Sequence, residues 1–170
     1  DPVSNRWSLF RTTNGGINWD SSGQFLAQSN GELGWNNSVW GVNSNIWFGT
    51  DKSRIYYSSA GSPPWVQQVT GANVNVYSIW LNSPNPLTGF ASGDSISKTT
   101  NSGTNWQLMP SIGTGPITGV TGINSTTNYW YTRSNTNIYF SNAGSPFVIQ
   151  YTAPAGNFNH LASARNGFLG

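Results

Sequence analysis

Few side chains in this sequence could serve as an acid, a base or a nucleophile. Of its 170 residues, five are Asp or Glu, seven are Lys or Arg, one is His and none is Cys. The histidine, His160, would have to be the base of any Ser-His-Asp arrangement, and no serine lies in the glycine-flanked turn motif that exposes such a nucleophile. We therefore expect His160 to be a hydrogen-bonded residue of a strand and not a catalytic base.

Glycoside hydrolysis is the chemistry that a pair of carboxyl groups would support, because it needs one on each side of the scissile bond. Asp51 and Asp94 occupy equivalent places in two repeats of the chain, directly after a strand, and Arg133 lies in the same region of a third repeat. Asp-Lys and Gly-Asp are also turn dipeptides. We expect the two carboxylates to cap loops, and a catalytic pair is the alternative.

Other kinds of chemistry are excluded more simply. With one His and no Cys, and without an Asp/Asn-rich loop of calcium spacing, the sequence predicts no metal site and no cofactor. Its net charge of +2 comes from scattered basic residues, so the basic patch typical of nucleic-acid binding is missing. No apolar run approaches the roughly 18 residues that a membrane span needs. We expect neither nucleic acid nor a membrane as a partner.

Aromatic side chains are the remaining candidates for binding. The chain has nine Trp, and Trp35, Trp40 and Trp80 lie near loops or strand ends. Trp beside Asn, Ser and Thr suits stacking on sugar rings, and the same mixture serves protein contacts. The alternative is that these rings pack inside the fold. The tentative binding residues are Trp35, Trp40, Trp80, Asp51, Asp94, Arg133 and His160.

The elements that position these residues are four internal repeats. Similar segments are anchored at Thr12, Ser58, Thr99 and Ser141, which are 46, 41 and 42 residues apart. Each period holds short runs of β-branched and aromatic residues between turn residues, a pattern that predicts strands. No segment shows a sustained 3.6-residue period, so we predict essentially no helix. Four strands in about 42 residues is the size of one β-propeller blade.

The turn at each anchor carries its own motif. Thr12-x-Asn14-x-Gly16-x-x-Trp19 returns at 99–106, and altered versions lie at 58–65 and 141–148. An Asn oxygen can accept backbone N–H groups two residues on, and Gly supplies the positive φ of the reversal. We expect the Trp to be buried against an adjacent layer. The residues assigned to these turns are Thr12, Asn14, Gly16, Trp19, Ser58, Gly61, Trp65, Thr99, Asn101, Gly103, Trp106, Ser141 and Gly144.

This motif resembles the Asp-box of the bacterial neuraminidase repeats, found in sialidase-like, sortilin-like and photosystem-assembly-factor-like propellers. The boxes are degenerate, since Asn14 and Asn101 replace the usual Asp, and Ala60 and Ala143 remove the acceptor in the other two copies. In that family the box is a structural turn away from the ligand face. The resemblance therefore implies an all-β propeller or propeller segment, and it implies no activity.

The repeats predict one propeller-type domain over residues 1–170. One blade combines the two chain ends, and the predicted blades span 158–170 plus 6–28, 38–70, 75–110 and 116–152. Three alternatives stay open: a closed ring of four blades, half of a larger ring completed by a second chain, or a stretch of a longer protein. Self-association and additional blades are thus both expected possibilities.

The function predicted from these observations is a non-enzymatic binding or scaffold module of a secreted or cell-surface bacterial protein. Its ligand would be a glycan or a protein presented to one propeller face. The alternative is a fragment of a propeller glycoside hydrolase, either sialidase-like or glucanase-like.

Overall fold

The computed structural model describes residues 2–71, 75–142 and 145–163, and these residues form fourteen β-strands and no helix. The strands are β1 (Pro2–Val3), β2 (Arg6–Trp7), β3 (Gly34–Val42), β4 (Asn45–Thr50), β5 (Arg54–Ser58), β6 (Val66–Val69), β7 (Val76–Leu81), β8 (Gly89–Gly93), β9 (Ile96–Thr99), β10 (Gln107–Met109), β11 (Ile117–Gly122), β12 (Asn128–Arg133), β13 (Asn137–Asn142) and β14 (Val148–Thr152).

Three antiparallel sheets of four strands make up most of the fold. Blade 1 contains β3 to β6, blade 2 contains β7 to β10, and blade 3 contains β11 to β14, each in sequence order. Neighbouring strands are joined by short turns rich in Gly, Asn and Ser, which suit such reversals. The prediction of four strands per repeat is therefore confirmed for these three repeats.

The N-terminal sheet is smaller than the repeat pattern predicts. Strands β1 and β2 form a hairpin through Ser4 and Asn5, both with positive φ, and Arg6 forms an isolated bridge with Ala27. Within the described residues this sheet has two named strands and not four. The part of the composite blade over residues 164–170 lies outside the described residues, so closure of that blade stays a prediction.

The C-terminal described segment lies beside blade 3. Phe158 forms a bridge with Asn135, and the Thr121 hydroxyl donates to the Ser163 hydroxyl oxygen at 2.9 Å. The first strands of blades 2 and 3, β7 and β11, are joined to each other in a similar way, since the Val120 amide of β11 donates to the Ser78 hydroxyl oxygen of β7 at 3.2 Å. Residues 158–163 thus lie beside β11 as β11 lies beside β7, in the place that the first strand of a further blade would take.

The apolar core lies between the blades. One cluster joins the N-terminal sheet to blade 1 through Trp7, Phe48 and Tyr56, a second joins blade 1 to blade 2, and a third joins blade 2 to blade 3. Each sheet therefore buries an apolar face against its neighbour, which is the main stabilising contribution in a repeat architecture. The faces of the outermost sheets have no such cover from the described residues.

Candidate binding cleft

The turns anchored at Thr12 and Thr99 share the same hydrogen bonds. The Gly16 amide donates to the Thr12 hydroxyl oxygen at 2.8 Å, and the Asn18 amide donates to the Asn14 side-chain oxygen at 2.9 Å. At the second turn the Gly103 and Asn105 amides make the equivalent bonds, both at 2.8 Å. Two neutral side chains thus satisfy the amides of each reversal, although Asn replaces the acidic residue of the motif.

The turns anchored at Ser58 and Ser141 reach closure differently. The Ser58 hydroxyl accepts the Ser62 amide at 3.1 Å and donates to the Ser62 carbonyl. The Ser141 hydroxyl likewise donates to the Ser145 carbonyl at 2.6 Å. Because Ala60 has no side-chain oxygen, the Ser58 hydroxyl donates to a backbone carbonyl, whereas the Thr12 hydroxyl donates to the Asn14 side chain. Ala143 and Gly144 lie outside the described residues.

The Trp of each turn meets the preceding sheet when there is one. Trp65 packs against the cluster that joins the N-terminal sheet to blade 1, and Trp106 packs against the cluster between blades 1 and 2. Trp19 follows the N-terminal sheet in the chain and is 61% exposed, so the prediction that it would be buried is wrong. The Trp of a turn is therefore buried where the described residues include a sheet that packs against the blade to which the turn belongs.

A cleft of about 750 Å³ lies between the N-terminal sheet and blade 1. Trp7 and Phe48 form part of its wall, and residues 34–39 of β3 form another part. The opening is bordered by the turns that contain Thr12 and Ala60. A recess of this size, with a partly apolar wall, suits a small ligand or a short chain segment.

Trp35 is placed in this cleft by a distortion of β3. Gly34 pairs with Thr50, the regular register resumes at Val39, and the intervening residues bulge out of the ladder. Bulges often re-aim side chains beside functional sites. Trp35 is 41% exposed, and its ring meets that of Tyr77 edge to face at 4.7 Å. Tyr77 therefore supports the indole, which stays partly open to solvent.

The polar lining of the cleft is almost uncharged. Gln24, Asn36, Asn43 and several hydroxyl groups contribute donors and acceptors, and Arg11 is the one charged residue among the described residues that line it. No carboxylate lines the cleft in this part of the chain. The arrangement can bind neutral polar groups and stack on a flat apolar surface, but it offers no acid–base pair.

Trp40 and Trp80 lie elsewhere, within the packing between blades. The Trp40 indole N–H donates to the Leu81 carbonyl of the next blade at 2.8 Å. Trp80 is 1% exposed and packs on Phe90 and Tyr129. Neither ring lines the cleft, so of the three Trp singled out from the sequence the structure places Trp35 alone beside it.

Asp51 and Asp94 make equivalent contacts in successive blades. The Asp51 carboxylate accepts the Leu33 amide at 2.8 Å, and the Asp94 carboxylate accepts the Asn75 amide at 3.1 Å. Each thus fixes the segment that enters the innermost strand of its own blade. These loops lie at the opposite end of the sheets from the Thr12 and Thr99 turns, as the strand directions require. The two carboxylates hold separate loops.

Arg133 and His160 are also separate from the cleft. The Arg133 guanidinium donates to the Ile112 carbonyl at 2.8 Å and to the Ser111 hydroxyl at 3.0 Å, so it fastens a loop of blade 3. His160 lies at an exposed position of the C-terminal segment, and partial desolvation lowers the pKa of its imidazole below the usual value. His160 and the two aspartates are thus spread over different parts of the fold.

Glu32 is the functional group that sequence reasoning missed. Its carboxylate is fully buried, pairs with the Arg54 guanidinium and accepts the Tyr56 hydroxyl and the Trp7 indole N–H. Burial and the hydrogen bond to Glu32 raise the pKa of Tyr56 to about 12. The cluster joins the N-terminal sheet to blade 1. Its only sequence signal is an acidic residue in a region with few charges.

Neither a metal-binding cluster nor a membrane-spanning helix is present in the described part of the chain. The residues that the structure describes contain no group of three or more His, Asp or Glu side chains placed to hold a metal ion. Nor does this part of the chain include a helix long and apolar enough to cross a membrane.

Comparison with known proteins supports the fold through structure alone. No protein-family model matches the sequence, and no curated protein sequence does. The crystal structure of an ancestral GH74 enzyme matches with a TM-score of 0.56 and 15% identity, over 73% of this chain and 19% of that one. YCF48 bound to a D1 peptide matches with a TM-score of 0.62 and 14% identity, over 89% of this chain and 49% of that one.

A second YCF48 structure, from Cyanidioschyzon merolae, matches with a TM-score of 0.53 and 14% identity, over 83% of this chain and 52% of that one. The chain thus spans about a fifth of the enzyme and about half of each YCF48 chain. At these identities the likeness is one of fold. It confirms the predicted all-β architecture and identifies the chain as a β-propeller segment.

Proposed function

We propose that this chain is a non-enzymatic binding module of a secreted or cell-surface protein, and that its cleft beside Trp35 binds a neutral oligosaccharide. The observation that carries the proposal is the pairing of a half-open indole with amide and hydroxyl groups in an almost uncharged recess. A sugar ring offers an apolar face to an indole and hydroxyl groups to the amides beside it. An extracellular location agrees with the low charge and the Asn-, Ser-, Thr- and Gly-rich composition.

The turns support a finer statement about ancestry. We infer that the repeats are degenerate Asp-boxes, because the Thr-x-Asn-x-Gly turns use the side chains at the first and third positions as acceptors in both copies. The boxes stabilise the blades, and two of them also contribute Thr12, Trp19, Ala60 and Trp65 to the lining of the cleft. The binding proposal therefore rests on the whole lining of the cleft and not on the box motif alone.

The position of the acidic groups favours binding over hydrolysis. Asp51 and Asp94 accept loop amides in two different blades, and Glu32 is buried in an ion pair. A glycosidase needs two carboxyl groups that face the same bond. Among the described residues the cleft has none, so a ligand held there would leave unchanged.

The test is a glycan array read with the purified chain. We expect binding to neutral glycans that falls on the order of tenfold or more in Trp35→Ala, because one stacked ring contributes about 1–2 kcal/mol. Tyr151→Ala is the matched control, since it removes an exposed ring far along the chain in β14. An array without binding, or equal losses in both variants, would contradict the proposal.

An extended peptide is the second candidate ligand. β3 lies at the edge of its sheet, and its bulge leaves residues 35–38 outside the regular ladder, where a strand-like segment could pair. One structural neighbour, YCF48, was solved with a D1 peptide bound. A peptide library screened against the chain distinguishes this candidate. Peptide binding that requires Trp35, together with a silent glycan array, would favour it.

The hydrolase alternative has its own test. It is prompted by the GH74 neighbour, of which this chain covers 19%. The measurement is the release of reducing ends from any glycan that the array identifies, using the wild type, Asp51→Asn and Asp94→Asn. We expect no release. Release that either substitution abolishes would replace the binding proposal with a catalytic one.

A further inference from the structure

Blades 1 and 3 carry similar residues on the sheet face that is turned away from the preceding sheet. Trp40, Trp47 and Tyr57 lie side by side across β3, β4 and β5, and Thr121, Trp130 and Phe140 lie side by side across β11, β12 and β13. Trp130 is therefore the structural equivalent of Trp47. On the outer strands, Gln68 follows Val66 by two residues and Gln150 follows Val148 by two residues, and Gln150 is the extra residue of a bulge in β14. Each face thus pairs a Trp with a Gln.

In blade 1 this pair holds the turn of the following blade. The Trp47 indole N–H donates to the Ser102 carbonyl at 3.2 Å, and the Gln68 amide donates to the same oxygen at 3.0 Å. Gly103 lies directly under the Gln68 amide, where a Cβ atom would come within 2.1 Å of the Gln68 side-chain oxygen. The Trp/Gln pair is thus a receptor for a Thr-x-Asn-x-Gly turn.

In blade 3 the equivalent pair receives no turn from the described residues. The Trp130 indole N–H donates instead to the Gln150 side-chain oxygen, at an exposed site. Phe140 packs beside Trp130 at 5.0 Å, and Val148 on the adjacent strand is 55% exposed. The site therefore presents an apolar surface with two polar groups that bond to each other.

The unpartnered turn of matching type is at the other end of the molecule. Gly15 and Gly16 correspond to Ser102 and Gly103, and the space where a Cβ atom of Gly15 would lie is open. Trp19 corresponds to Trp106 and is 61% exposed. Among the strand pairings of the described residues, none joins the N-terminal sheet to the C-terminal segment. Both the turn and its receptor are therefore present among the described residues.

We propose that the Trp130–Gln150 face binds the Thr12–Trp19 turn of a second copy of this chain. The Trp130 and Gln150 N–H groups would donate to the Gly15 carbonyl, as Trp47 and Gln68 donate to Ser102. Trp19 would pack on the face beside Phe140. Residues 158–163 of the first copy, placed as a next innermost strand, would lie beside an N-terminal sheet whose described part has no such strand. The contact is head to tail, so each copy offers one turn and one face.

The experiment is sedimentation velocity over a wide range of concentration. We expect the wild type to associate, and we expect Trp19→Ala and Trp130→Ala each to weaken association on the order of 10- to 100-fold, as for buried Trp at interfaces. Leu108→Ala is the control, since it removes an exposed apolar side chain from β10 of blade 2, which supplies neither the turn nor the face, and it should associate like the wild type. Gln150→Ala changes the same face at an exposed position, and it should also weaken association.

Mixing the two variants makes the test specific. Trp19→Ala keeps an intact face and Trp130→Ala keeps an intact turn, so the mixture should form a heterodimer with one wild-type contact at concentrations at which each variant alone is largely monomeric. A wild type that is monomeric at every concentration would overturn the proposal, as expected if further blades of one polypeptide cover the face. Association that neither variant weakens, or a mixture that forms no heterodimer, would overturn it as well.

Discussion

The Thr12 and Thr99 turns have the same sequence pattern and the same hydrogen bonds, yet one is exposed and the other is enclosed. At Thr99, Gly103 lies under Gln68 and Trp106 packs against blade 1. At Thr12, no sheet of the described residues covers the turn, and Trp19 is largely exposed. The comparison separates what a turn sequence determines locally from what a neighbouring blade adds to it.

Local chemistry accounts for the shape of the turn. The Thr hydroxyl and the Asn oxygen accept amides within five residues of the chain, so the reversal needs no tertiary contact. The Trp of the motif is buried only when a Trp/Gln face covers the turn, whereas the Gly supplies the positive φ of the reversal in both turns. The Thr12 turn therefore has all its local hydrogen bonds but is not covered by a Trp/Gln face of the described residues. The predictions that follow compare it with the Thr99 turn.

The largest effect is expected from Glu32→Gln, which removes the buried charge that pairs with the partly buried Arg54. Breaking one partner of a buried ion pair costs about 3–5 kcal/mol. Because the cluster holds the N-terminal sheet to blade 1, hydrogen exchange should quicken around the Thr12 turn and stay slow around the Thr99 turn. Urea unfolding and residue-resolved exchange measure both effects.

Asp20→Asn is the control for Glu32→Gln, because it removes a carboxylate from an exposed position of the N-terminal sheet. We expect only a small change in unfolding. If the two substitutions had equal effects, the buried cluster would not be what holds the sheet.

The next largest difference is expected between the two turn tryptophans. Trp106→Ala opens a cavity at the interface of blades 1 and 2 and should cost about 2–4 kcal/mol of unfolding free energy. Trp19→Ala removes an exposed ring from the monomer and should cost less than about 0.5 kcal/mol. Chemical denaturation at a concentration that keeps the chain monomeric gives both values. Equal costs would mean that the neighbouring blade contributes nothing at the Thr99 turn.

Alkaline pH tests the cluster that supports the exposed turn. The pKa of Tyr56, raised to about 12 by burial and by Glu32, lies above its ordinary value of 10.0, so the unfolded chain loses this proton first as the pH rises. The stability that depends on protonated Tyr56 is complete below pH 10 and falls between pH 10 and 12, by about 2 kcal/mol.

Tyr56→Phe checks this assignment. The variant is expected to be less stable than the wild type at neutral pH because it lacks the bond to Glu32, and the difference should shrink as the pH approaches 12. Tyr151→Phe, at an exposed position, serves as the control. A constant difference between wild type and Tyr56→Phe across that range would refute the role of Tyr56.

The smallest effect distinguishes the two glycines. Gly16 and Gly103 both have positive φ, so alanine is strained at either position, by about 1–2 kcal/mol. Gly103→Ala must also displace the Gln68 amide from its bond to Ser102, which adds about 1 kcal/mol. Thermal unfolding of the two variants should therefore differ by a few degrees. Identical melting temperatures would show that Gln68 does not press on the turn.

The sequence predicted the repeats, the strands and the turn chemistry well, because these depend on residues close together in the chain. It could not predict the Glu32 cluster, since Glu32 precedes β3 while its partners come from two other strands, Arg54 and Tyr56 from β5 and Trp7 from β2. It also could not separate Trp35 from Trp80. Both lie in or near innermost strands, and only the bulge of β3 and the cover of blade 3 make one accessible and the other buried.

The most direct test of the account is hydrogen exchange of the Gly16 amide as protein concentration increases, with the Gly103 amide as the internal reference. We expect Gly16 to become more protected at high concentration in the wild type, to stay unprotected in Trp130→Ala, and Gly103 to be protected at every concentration. Exchange at Gly16 that does not change with concentration, or that changes equally in Trp130→Ala, would contradict the claim that the two ends of this propeller segment recognise each other.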